Sequence, residues 1–342
     1  MQINRAWFFA TAAAAVLGLL AQAAPSLAQG KMPPFVVIGV NEGGGALNAL
    51  GNGLAKLITE RAGTKARLRT TTGGTEILVN AGDADFGMGV SVETYQSMRG
   101  LDHYAGKKQS NVRLVASGPS LIVAFMVKNG APFKSVADLR GAKVGGEYPG
   151  TRPLHFDGVA LLAGTGMTWK DVEVVPVATL GSGIQTFIEG KIDAVLAAVG
   201  TAFVQKADAS LGGVRFLTLP AGPEVASRVA GAEPGFYALE MRKGAHLGVD
   251  RDMILGAKDI YFNSGAKVSE DAVYGVVKAM WNDMSSLHTV NPMFRAWTHQ
   301  AMVKPDVTAP YHAGAVRFYK ETGAWTDAME KAQQALLKQV GN

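Results

Sequence analysis

The side chains that usually carry out chemistry are present in this chain but not at catalytic spacings. His103, His155, His246, His288, His299 and His312 never form the helical His pair with an intervening Glu that a zinc hydrolase needs. No Gly-x-Ser-x-Gly turn presents a serine nucleophile, and no Gly-Lys-Ser/Thr loop cradles a phosphate. Gly43-x-Gly45 resembles the start of a dinucleotide turn, but Asn48 stands where the third glycine belongs. The chain has no cysteine, so thiol nucleophiles, disulfides and cysteine metal sites are excluded. No catalytic residue, metal ligand or cofactor is therefore expected.

What remains is a set of Gly- and hydroxyl-rich turns of a kind that binds without transforming. The candidate ligand-binding residues are Asn41, Glu42, Gly44 and Gly45 in the first turn, then Thr72, Gly74 and Thr75, then Ser91 and Glu93. Later turns add Tyr148, Gly150, Thr151 and Arg152, then Ser182, then Gly200 and Thr201. Free N–H groups at helix N-termini attract an anion, and the Arg152 guanidinium can grip a carboxylate at two points. Tyr148 is expected to cover an apolar part of the ligand, and Thr75 to cap a helix over 76–81 as well as face the cleft. Glu42 and Glu93 could oppose a dianion, or pair with Arg152 or with an amine on the ligand.

Alternating strands and helices must position these turns. The apolar run Phe35 to Val40 predicts a strand, and Leu47, Leu50, Leu54, Leu57 and Ile58 recur at helical spacing. Strands follow over 66–70 and 86–90, so Gly-rich turns join strand to helix as in a parallel sheet flanked by helices. Two consecutive strands, 112–116 and 121–127, surround Ser117-Gly118-Pro119 and are long enough to cross between domains. A second strand-and-helix series then begins with a short helix between Ser135 and Gly141. The two series echo each other: a short helix stops at Gly82 and at Gly190, and an Asp follows three residues on, Asp85 and Asp193. Two similar α/β lobes are expected, with residues 33–117 and 232–342 as the first and 118–231 as the second. The ligand cleft would lie between them.

Composition narrows the class. At 48% hydrophobic and 18% charged, the 342 residues supply enough apolar surface to fold, which excludes a disordered chain. The net charge of +5 is scattered, so no nucleic-acid stripe is present. Arg5, the apolar run from Ala6 to Leu20 and the small residues Ser26-Leu27-Ala28 predict a secretory leader cleaved after Ala28. That run is shorter than the roughly 20 residues of a membrane span. The expected product is a monomer in the periplasm.

Several segments carry a resemblance to the TAXI-family solute receptors of TRAP transporters. They are Val37 to Gly45, Thr71 to Thr75, Gly82 to Gly87, Asp138 to Gly141 and Gly190 to Ala194, with Pro310 to Gly323 the most specific. The sequence departs from the family pattern in the first turn, in Gly74-Thr75 for Gly-Ser, and in Ser91-Val92-Glu93 for Gln-x-Asp. The resemblance implies a two-lobe periplasmic-binding-protein-like fold, a small organic anion (a carboxylate or an amino acid) as ligand, and a TRAP-type permease as partner. The alternative reading is an exported α/β enzyme acting on a small organic acid.

Overall fold

A computed structural model describes residues 32–41 and 45–341. The predicted leader, Glu42 and Gly44 lie outside the described residues. The first series comprises β1 (Phe35–Asn41), α1 (Ala46–Arg61), β2 (Lys65–Thr71), α2 (Thr75–Ala81), β3 (Phe86–Val90) and α3 (Ser91–Arg99). A long strand, β4 (Val112–Lys128), leads into β5 (Lys143–Glu147), α4 (Pro153–Gly164), β6 (Glu173–Val177), α5 (Leu180–Ile188), β7 (Ala194–Ala198), α6 (Ala202–Leu211), β8 (Val214–Phe216) and α7 (Pro223–Ala232). β9 (Phe236–Met241) and a second long strand, β10 (Met253–Gly265), return the chain to α8 (Glu270–Asp283), α9 (His299–Met302), α10 (Ala313–Glu321) and α11 (Asp327–Gln339). No described helix is long and apolar enough to cross a membrane.

All ten strands belong to one sheet, ordered β2-β1-β3-β10-β4-β7-β5-β6, with β9 beside β10 and β8 beside β4. β2, β1 and β3 are mutually parallel, as are β6, β5 and β7. The antiparallel pairs β3–β10, β10–β4 and β4–β7 join the two sets. Three successive reversals make the two parallel sets run in opposite directions. The register then fixes where they end. β3 finishes with Val90 opposite Ile260, and β7 finishes with Ala198 opposite Val123, which itself pairs Gly256. The carboxyl ends of both sets therefore point toward each other across the middle of β4 and β10.

The sequence echo has a physical counterpart. Gly82 and Gly190 both take a positive φ, 81° and 71°, which ends each short helix without strain. Asp85 then accepts a hydrogen bond from Val37 N at 2.7 Å, and Asp193 from Lys143 N at 2.9 Å. One turn chemistry starts the first strand of each series.

The strands expected over 112–116 and 121–127 are the single strand β4. Pro119 lacks the N–H a ladder needs, and the β4–β10 register slips where it sits, between Ser117–Tyr261 and Ser120–Asp259. A bulge absorbs the proline and the strand continues. Trp297 covers that bulge, its indole N–H donating to Ser117 O at 2.8 Å.

Burial follows the pleat. Val123, Phe125 and Val127 enter one apolar cluster with α4 and α7, while Ala124 and Met126 enter another with α5 and α6. A third cluster joins β1, β3 and the ends of β4 and β10 to α1, α8 and α10. In α1 the buried Leu50, Leu54, Leu57 and Ile58 form one stripe, as their spacing predicts.

Candidate functional site

The facing strand ends enclose a layer rich in charge. Lys258 and Asp259, in the middle of the apolar strand β10, are 2% and 4% exposed. Lys258 Nζ donates to both carboxylate oxygens of Asp157 on α4, at 2.6 and 2.8 Å. Burial pushes the Asp157 carboxyl up while the ammonium of Lys258 pulls it down. Asp259 meets Lys304 Nζ at 2.6 Å and accepts from Tyr237 Oη at 2.8 Å. Its N–H donates to Ser91 Oγ, and Ser91 Oγ donates in turn to Gly235 O.

On the β3 side, Glu76, Glu93 and Thr94 are buried. Thr94 Oγ1 donates to Glu76 Oε1 at 2.8 Å and accepts from Asn263 Nδ2 at 3.0 Å. Desolvation, and then the charge of Glu93, push Glu76 up to about 8. Tyr104 Oη donates to Glu93 Oε1 at 3.1 Å, and His103 Nε2 stands 3.9 Å from the same oxygen. Burial raises Glu93 too. Gln96, one helical turn further on α3, donates from Nε2 to Glu233 Oε2 at 2.9 Å. Burial is also the main cause that pushes Glu233 up to about 7. Among the described residues, no group of three or more His, Asp or Glu is placed to hold a metal ion.

Across the layer, Arg152 reaches Asp102 in the turn after α3. Nε and Nη2 donate to the two carboxylate oxygens at 3.0 and 2.7 Å. The hydrogen bonds from Arg152 hold the Asp102 carboxyl well below its usual range. Asp102, Glu147 and Tyr148 are the non-glycine residues with positive φ among the described residues. Asp102 makes this contact and Glu147 and Tyr148 lie in the turn that leads to Arg152, and strained backbone of this kind gathers at functional sites.

The expected residues fall into four groups. Gly74, Thr75, Ser91 and Glu93 are buried at the layer, and a Cβ on Gly74 would collide with the Tyr104 hydroxyl. Asn41, Thr151, Arg152 and Thr201 are half-buried. Gly45, Thr72, Gly150, Ser182 and Gly200 are exposed at their turns. Tyr148 is fully buried, which is the fourth case.

Four expectations change. Gly74, not Thr75, is the N-cap of α2, because the Thr75 hydroxyl turns inward and donates to Met88 O at 2.9 Å. The Tyr148 ring cannot cover a ligand, since it fills the core and its hydroxyl donates to Gly145 O. Ser182 Oγ is taken by the capping box with Thr179. The Arg152 fork, expected on a ligand carboxylate or on Glu93, is filled by Asp102.

The Arg152–Asp102 pair is partly exposed, with side chains 35% and 25% accessible. Arg152→Ala is therefore expected to lower stability by no more than about 1 kcal/mol at pH 7. A depressed carboxyl pKa stabilises above its unfolded value and loses that contribution as pH falls through the folded one. The gap between variant and wild type should accordingly close on acidification. Thermal denaturation at pH 7 and at acid pH measures this, and a gap that widens toward acid pH would contradict it.

Sequence reading missed Gln96, Asp102, Tyr104, Asp157, Glu233, Lys258, Asp259 and Lys304. The available signal was Lys258-Asp259 inside an apolar strand run, since charge there must be paired. Tyr237 is half-buried and belongs to the layer, whereas its neighbour Phe236 is core. His312 caps α10 by accepting from Gly314 N, and burial lowers it to about 4.

Residues 38–323 match the NMT1-like family. Among solved structures, PhnD1 from Prochlorococcus marinus (MIT 9301), in complex with methylphosphonate, superposes with a TM-score of 0.52 at 10% identity, covering 86% of this chain and 100% of that one. A structure described as a periplasmic transporter gives 0.51 at 14% identity, covering 89% and 96%. The periplasmic aliphatic sulphonate binding protein SsuA from Escherichia coli gives 0.49 at 17% identity, covering 90% and 100%. The fold, a central mixed sheet with flanking helices, is that of periplasmic binding proteins.

Proposed function

The chain belongs to the NMT1-like family, and from that premise we propose that it is an extracytoplasmic solute receptor that captures a small organic acid or amino acid. The observation that carries this reading is the opposition of the two sets of strand ends across β4 and β10. In open α/β sheets ligands bind beyond the carboxyl ends of strands, and here two such ends share one layer. Residues 33–117 with 232–342 form one lobe, and 118–231 the other. β4 and β10 are the strands about which the lobes close. Closure is driven by the solute's differential affinity for the closed state, and the Asp102–Arg152 pair spans the two lobes in that state. The resemblance to TAXI-family receptors supports delivery to a TRAP-type permease.

A receptor returns its solute unchanged. The purified protein should bind a small carboxylate or amino acid at one per chain, with a melting temperature that rises with ligand concentration because only the folded state binds. Calorimetry gives the stoichiometry, and mass spectrometry of the recovered compound shows whether it was altered. Turnover of that compound would replace the receptor by the exported enzyme.

A further inference from the structure

We infer that the captured solute carries a protonated amine, received by Glu93, Gln96 and Glu233. This deepens the receptor reading and rests on it. The pairing of charges in the layer carries the inference. Three Lys and Arg side chains are present, and each is taken by an aspartate: Arg152 by Asp102, Lys258 by Asp157 and Lys304 by Asp259, while His103 Nε2 stands 3.9 Å from Glu93 Oε1 without a hydrogen bond to it. Three buried glutamates are left over, and among the described residues none has a Lys or Arg nitrogen within 4.0 Å. Glu76 sits apart from the other two on α2 and accepts from Thr94 Oγ1 at 2.8 Å. Glu93 and Glu233 receive only Tyr104 and Gln96 as close donors.

A second observation points the same way. Gln96 is 5% exposed, and its Oε1 has no hydrogen-bond partner although its Nε2 lies against Glu233. A buried acceptor without a donor is costly, and native proteins seldom leave one unfilled. Glu93 and Gln96 are three residues apart on α3 and share one face. The cluster thus offers two carboxylates and an amide oxygen against two close donors, Tyr104 Oη and Gln96 Nε2. An alkylammonium supplies three N–H donors and one positive charge. A second carboxylate at this place would meet charge of its own sign.

The test compares compounds that differ in the amine. Thermal-shift and calorimetric titrations use the common L-amino acids, 4-aminobutyrate and putrescine against succinate and the amine-free counterparts of the amino acids. Any compound carried through purification is released by unfolding the protein and identified by mass spectrometry. The bound compounds should carry an amine, and their amine-free counterparts should bind about 10- to 100-fold more weakly. Glu93→Gln and Glu233→Gln should weaken amine binding by a similar factor while the unliganded protein melts at or above the wild-type temperature. Tight binding of an amine-free acid that Glu93→Gln and Glu233→Gln leave unchanged overturns the amine subsite and leaves the receptor standing. Stabilisation by sodium or calcium ions alone, with no response to amines, overturns it as well. If no compound binds and none is carried through, the receptor reading falls, and this inference with it.

Discussion

Lys258→Met is expected to destabilise the protein by about 3–5 kcal/mol, the range for removing one partner of a buried ion pair. The melting temperature should fall by on the order of 10 °C. Lys258 and Asp157 have side chains 3% and 0% accessible, so water cannot replace the lost ammonium. Asp157 would be left as an unpaired carboxylate inside the cluster packed around α4, and it would survive only by taking a proton. The variant should therefore lose stability more steeply as pH rises above the ordinary carboxylate range. The double variant Lys258→Met with Asp157→Leu removes both charges and should recover most of the loss, because well-packed apolar replacements of buried pairs are often neutral. Calorimetry of the wild type and the two variants decides it. A single variant within about 1 kcal/mol of wild type would show that the pair is not the tie between α4 and β10 that its geometry describes.

The legible parts of this protein are those written by local chemistry. Strand-turn-helix repeats follow from apolar runs and glycine stops, and the Asp85 and Asp193 echo reads directly because one side chain caps one nearby backbone N–H. The turns at the strand ends were visible for the same reason. The charge layer was not, because it is assembled by strand register. Lys258 meets Asp157 across 101 residues, and Gln96 meets Glu233 across 137. Arg152 illustrates the limit well. Its place in a turn between secondary-structure elements was readable, but its partner, Asp102, sits in a strained turn 50 residues earlier. The Thr75 cap failed by one residue because Thr75 is already the first helical residue and its hydroxyl donates to Met88 O of β3 instead of accepting from the helix's own N–H groups. Glu93 was picked out as a candidate, but the choice between anion and amine as its counterpart needed the count of cations already paired.

Glu76→Gln is expected to make the protein more stable than the wild type at alkaline pH and nearly equal to it near pH 5. Glu76 is fully buried in the first turn of α2, beside Gly89 of β3. The charged and titratable groups facing it are Glu93 on α3 and, beyond that, Tyr104 and His103. Asn263 on β10 contacts it only through Thr94. Its carboxyl moves from an ordinary 4.5 to about 8. Between those values the folded state holds a proton that the unfolded state has released. Stability then falls as pH rises, by about 1.4 kcal/mol for each unit in that window. Gln imitates the protonated acid: its carbonyl still accepts from Thr94, and it does not titrate. The two proteins should thus share one stability near pH 5 and separate progressively toward pH 8. Urea unfolding at pH 5, 6, 7 and 8 traces both curves. Parallel curves would mean that Glu76 has its ordinary acidity in the fold and is ionised there, and would overturn the expectation.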